Sequence, residues 1–196
     1  MIRVISLIFL AVAVVGFAPS AEAVPIIYTT TLTGPAESPP NASPGTGFGE
    51  VDFDLAAHTM IVKMTFSGLL AGTTASHIHS PTALPGEGTA AVATTVPTFP
   101  GFPLGVTSGT YERSFDTLAA STYNPAFVTA NGGSVPAAEA ALAASLAART
   151  AYLNIHTTMF PGGEIRGFLA VPEPATLLLL VVGGMGVLAL RKKATG

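Results

Sequence analysis

From Phe48 to Phe66 the chain alternates apolar and polar residues almost one by one, and that period of two leaves little choice about local structure. Val51, Phe53 and Leu55 fall on one side of an extended segment, with Glu50, Asp52 and Asp54 on the other. After a short connection holding His58, the residues Met60, Val62, Met64 and Phe66 alternate with Ile61, Lys63 and Thr65. Successive side chains of a strand point to opposite faces. The two runs therefore predict half-buried antiparallel strands, one face on a core and one in water.

Short runs of the same kind continue on both sides. Ile26 to Leu32 predicts a strand before a Pro-rich loop, Gly34 to Gly47, and Gly68 to Gly72 predicts a loop before the strand Ala75 to His79. Pro81 to Gly88 turns, Thr89 to Val96 is strand-like, Pro97 to Gly105 is a loop, and Gly109 to Thr117 is a strand carrying Tyr111 and Phe115. Tyr152 to Thr157 and Glu164 to Ala170 complete the set. The turns draw on 21 Gly and 16 Pro, residues that supply the backbone conformations turns need. Short strands separated in this way predict an all-β fold, an antiparallel Greek-key β-sandwich of the immunoglobulin-like or superoxide-dismutase-like kind.

One stretch breaks the pattern. Ser134 to Arg149 is Ala-rich, with Ser134 placed as an N-cap, Pro136 in the first turn, and Leu142 and Leu146 four apart on one face. It predicts one short amphipathic helix on the edge of the sandwich, delivering the chain to Tyr152.

The segment Tyr152 to Leu169 holds the polar groups most suited to chemistry. Tyr152-Leu153-Asn154-Ile155-His156 leads into a Pro161-Gly162-Gly163 turn and a returning strand from Glu164, which predicts a hairpin. Asn154 and His156 share one face of it. His77 and His79, two apart on their own strand, also project together, with Ile78 turned the other way.

These motifs resemble a known family. N-I-H-T followed by P-G-G-E-I-R-G is similar to the signature of the CHRD domain, named after chordin and found in exported bacterial proteins. Leu32-Thr33-Gly34 to Pro39-Pro40, Gly45 to Leu55, Phe66-Ser67-Gly68-Leu69 and Ser76-His77-Ile78-His79 resemble its opening half. The resemblance spans roughly residues 26 to 170 and implies a domain over 24 to 170. It brings no established activity with it, and the expectation is a surface or binding module, not an enzyme.

Both ends carry addresses. Met1 to Ala23 has one early cation, Arg3, an apolar run from Val4 to Ala18, and Ala21-Glu22-Ala23 as a cleavage site, the pattern of a secretory signal peptide. At the other end, residues 171 to 176 read Val-Pro-Glu-Pro-Ala-Thr, Ala175 to Leu190 are uncharged and largely apolar, and Arg191-Lys192-Lys193 follow. An apolar helix ended by cations predicts a membrane segment with a cytoplasmic C-terminus. At roughly 24 Å it is short for a ~30 Å hydrocarbon core. The order of Pro172-Glu173-Pro174, helix and basic tail over 171 to 196 resembles the PEP-CTERM sorting signal. That resemblance implies an exosortase as processing partner, a stay in the inner membrane, cleavage near the tripeptide, and arrival at the cell surface or extracellular matrix, where exopolysaccharide or matrix proteins are the natural partners.

Several chemistries are excluded by the residues themselves. There is no Cys, so neither disulfides nor a thiolate metal site is available. Between Val24 and Ala170 four basic residues face nine acidic ones, a balance of −5 that argues against nucleic acid as a partner. No Ser lies in a G-x-S-x-G elbow, and Gly45-Thr46-Gly47-Phe48-Gly49 lacks the ending of a phosphate loop. Glu50, Asp52 and Asp54 belong on a solvated face.

Two readings of the remaining polar residues stay open. In one, His77, His79 and His156 hold copper or zinc, with Glu164 or water completing the shell. In the other, the three histidines join Asn154, Glu164 and Arg166 in a hydrogen-bonded structural network, with Arg166 meeting a carboxylate. Four histidines in the whole chain, with His58 in a turn, are too few for the two-metal centre of a superoxide dismutase.

Overall fold

The computed structural model describes residues 24–173, so the signal peptide expected over 1–23 and the membrane helix expected over 175–190 lie outside the described residues. Seven strands form: β1 (Ile26–Thr33), β2 (Thr46–Asp54), β3 (Thr59–Ser67), β4 (Thr73–His79), β5 (Gly109–Asp116), β6 (Tyr152–Thr157) and β7 (Ile165–Phe168). Between β5 and β6 lie a 3₁₀ turn, Ala120–Thr122, and the helices α1 (Pro125–Ala130) and α2 (Val135–Ala147). Among the described residues no helix is long and apolar enough to cross a membrane.

All strand pairings are antiparallel, in the order β4-β6-β7-β1-β2-β3-β5. The alternating segment becomes β2 and β3 in full register, with Val51 opposite Val62 and Phe53 opposite Met60. Val51, Phe53, Met60, Val62, Met64 and Phe66 are buried, as the period of two requires. On the outer face Lys63 lies 2.8 Å from Glu50 and 2.9 Å from Asp52. The acidic row is thereby answered by a cation from the neighbouring strand.

The sheet is curled, which brings its first strands over its later ones. A Cβ added at Gly49 of β2 would stand 2.5 Å from Leu153 Cδ1 of β6, so the absence of a side chain at Gly49 makes room for the leucine as it is placed. Ser76 of β4 likewise reaches Met64 of β3. Leu32, Ile78, Leu153, Ile155, Ile165 and Leu169 complete the enclosed core. The join at β1 and β7 is thin, with Thr33 paired to Arg166 and a bridge between Thr29 and Ala170.

The helix expected near the C-terminal hairpin is α2, with Ser134 at the N-cap position, although its side chain makes no capping bond. Leu142 and Leu146 are fully buried. Glu139 shares their inner face, where it accepts from the Thr117 hydroxyl and lies 3.0 Å from His58 Nδ1 in the β2–β3 turn. The helix α1 has no counterpart in the apolar pattern. It is set off by Asn124, whose side chain caps Ala126 N–H at 3.0 Å, and by Pro125 in its first turn.

The strand expected over Thr89 to Val96 does not form. The segment lies irregularly along β4, where Ala93 N–H donates to Ile78 O and Ser80 N–H to Ala91 O, Val92 bridges to His79, and the Thr94 and Thr98 hydroxyls accept from Ile78 N–H and Ser76 N–H. Pro97, Pro100 and Pro103 follow closely, and a proline has no N–H for a ladder. This irregular cover still blocks the free edge of β4.

Candidate metal centre

Strands β4 and β6 pair so that His77 stands opposite Asn154 and His79 opposite Tyr152. Directly opposed residues share a face, so the two histidines of β4 meet the polar row of β6 on the side away from Ile78, Leu153 and Ile155. The ring centroids lie 5.8 Å apart for His77 and His79, 5.3 Å for His77 and His156, and 5.7 Å for His79 and His156. One nitrogen from each ring lies within 4.8 Å of one from each of the others.

The outer nitrogens are held by backbone carbonyls. His77 Nε2 lies 2.6 Å from Pro97 O, His79 Nδ1 2.9 Å from Ala90 O, and His156 Nδ1 2.9 Å from Pro161 O. A carbonyl only accepts, so each of these nitrogens carries the proton, and in a neutral ring the other keeps its lone pair. Those other nitrogens are His77 Nδ1, His79 Nε2 and His156 Nε2. All three are shut off from solvent, and none has a hydrogen-bond partner among the described residues.

Burial also keeps the rings neutral. It pushes His77 and His79 down to about 4, against the opposing pull of their carbonyl bonds, and it lowers His156 as well. Neutral imidazole is the form that binds a metal. A ring whose second N–H is tied to a carbonyl is the usual support around a histidine ligand, because the bond fixes both tautomer and orientation.

The other expected site residues are placed differently. Glu164 is fully buried but stands apart from the three rings, accepting from the Ser43 hydroxyl, the Thr157 hydroxyl and Leu70 N–H, each at 2.6 Å. Arg166 donates to Ala36 O at 2.5 Å and to Gly88 O at 2.9 Å, with its guanidinium 4.8 Å over the Tyr152 ring. Asn154 is buried with its Oδ1 unpartnered. The six polar residues therefore do not bond to one another as a single network. Backbone and loop groups bond them piecemeal and leave His77 Nδ1, His79 Nε2, His156 Nε2 and Asn154 Oδ1 without a partner among the described residues.

Three contributors escaped sequence reasoning. Glu37, in the Pro-rich loop, is the carboxylate facing Arg166, at 3.8 Å, and its burial lifts its carboxyl to about 7 in spite of that cation. Tyr152 stacks on His79 at 4.9 Å with the rings 3° from parallel. The loop carbonyls of Ala90 and Pro97 carry no side-chain signal. The position of Tyr152 two residues before Asn154 on the same face could have flagged it.

Residues 28–169 match the family model of the CHRD domain, and residues 170–193 match that of the PEP-CTERM protein-sorting motif. No curated protein and no solved structure matches the chain.

Proposed function

The chain belongs to the CHRD domain family and ends in a PEP-CTERM sorting motif, and from that premise we propose that it is a non-enzymatic envelope module that holds one transition-metal ion between His77, His79 and His156. The sorting motif makes it an exported, exosortase-processed surface protein. The membrane helix over 175–190 is its anchor until cleavage near Pro172-Glu173-Pro174, after which the domain enters the extracellular matrix beside exopolysaccharide or matrix proteins. The curled sheet is a Greek-key β-sandwich whose outer β4–β6 face carries the ion.

The observation that supports metal binding is the set of three lone-pair nitrogens left without partners on one buried face. An unpaired buried polar atom costs about 1–3 kcal/mol, and native folds rarely leave several together. A purely structural network would bond these atoms, whereas a shared ion satisfies all three. Copper and zinc are the metals that such a nitrogen donor set suits.

Metal analysis of the secreted protein, purified from metal-replete culture without chelator, tests this. One copper or zinc per chain is expected, falling to background in the His156→Gln variant while its circular dichroism stays unchanged. A wild-type protein that retains no metal and cannot be loaded with any would end the proposal.

A further inference from the structure

We infer, resting on the metal reading above, that the centre is built for monovalent copper and disfavours divalent ions. The argument is one of charge. All three ligands are imidazoles, and among the described residues the cluster of convergent donors contains no carboxylate. A cation stands behind the trio instead: the Arg166 guanidinium lies 4.8 Å over the Tyr152 ring, which is itself stacked on His79 at 4.9 Å. Glu37 faces Arg166, and Glu164 is engaged elsewhere by three donors.

Asn154, opposite His77 with an unpartnered Oδ1, offers at most a neutral amide as a fourth donor. The cost of moving an ion out of water rises with the square of its charge, so a dication is about four times as costly to bury as a monocation. Among the described residues no carboxylate joins the three nitrogens to offset that cost; the buried Glu37 faces Arg166. Three-histidine zinc sites keep a fourth position open to water, yet the free nitrogens of this trio are closed to solvent. A monovalent ion content with three nitrogen donors fits such an enclosure better.

The test uses the mature secreted protein under anaerobic conditions. It is offered copper(I), kept reduced with ascorbate, and in separate samples zinc(II) and copper(II), then desalted and counted for metal. Expected are one copper(I) per chain, no electron paramagnetic resonance signal, and affinity for zinc(II) weaker by at least about tenfold in a competition titration. His77→Ala and His156→Gln should each abolish retention of copper(I), with folding checked by circular dichroism. Zinc(II) held as tightly as copper(I), or a stable copper(II) spectrum, would overturn this inference while leaving the three-histidine site intact. Failure to hold any of the three ions would overturn the site itself.

Discussion

His77 and His156, on neighbouring strands with ring centroids 5.3 Å apart, are each tied to the carbonyl of a proline, Pro97 and Pro161, and each keeps its second nitrogen free and buried. Two loops distant in sequence thus hold two rings in the same protonation state. The arrangement stores ligands, and the consequence for stability is direct. Adding an ion should raise the melting temperature of the wild-type protein by mass action and leave that of His77→Ala unchanged. Thermal scans with and without one equivalent of metal measure it, and an equal rise in both proteins would count against the site.

Glu37 links stability to pH. Its folded pKa, about 7, lies above the ordinary value of 4.5, so the native state holds the proton longer than the unfolded chain does. Its contribution is fully present below 4.5 and is lost as pH rises through 7. In Glu37→Gln that loss should vanish. The stability of wild type relative to the variant should fall by on the order of 2–3 kcal/mol between pH 4.5 and 7.5. Paired urea titrations across that range check it, and parallel pH profiles would contradict it.

The Glu164 carboxylate organises the loop before β2, the loop after β3 and the end of β6, through Ser43, Leu70 and Thr157. Glu164→Ala leaves those buried donors unanswered, and each costs about 1–3 kcal/mol. A loss of roughly 3 kcal/mol or more in chemical denaturation is expected. A loss below about 1 kcal/mol would show that these donors find water instead.

The curl of the sheet can be probed at Gly49. Gly49→Ala should destabilise by about 1–3 kcal/mol through overpacking against Leu153. Combining it with Leu153→Ala should recover part of that loss, giving a favourable coupling in a double-mutant cycle. Strict additivity would mean that β6 does not lie over β2.

Processing is testable directly. Mass spectrometry of the cell-surface form should find the C-terminus near Pro172-Glu173-Pro174 and no peptide containing Arg191 to Lys193. An intact C-terminus in that fraction would contradict exosortase cleavage.

The legible part of this protein was local. Alternation along Val51 to Phe53 and Met60 to Phe66 placed β2 and β3, the Pro161-Gly162-Gly163 turn placed the β6–β7 hairpin, and Leu142 with Leu146 placed α2, whereas Leu55, expected beside Val51 and Phe53, falls past the end of β2 and is exposed. The expected strand over Thr89 to Val96 failed because the Thr94 and Thr98 hydroxyls take the Ile78 and Ser76 N–H groups in place of backbone carbonyls, and prolines beyond it turn the chain away.

Sequence by itself determined which side chains share a face, because that follows from the covalent repeat of an extended chain: His77 with His79, Asn154 with His156. It also determined the family and the sorting address, which are strings of residues. Only the tertiary structure decided that the two histidine faces meet, that backbone carbonyls take one nitrogen of each ring and leave the other, and that Glu37 faces Arg166 and Glu139 meets His58. Those outcomes depend on how loops close over a finished sheet and on which groups burial strips of water, and neither quantity belongs to any short stretch of chain.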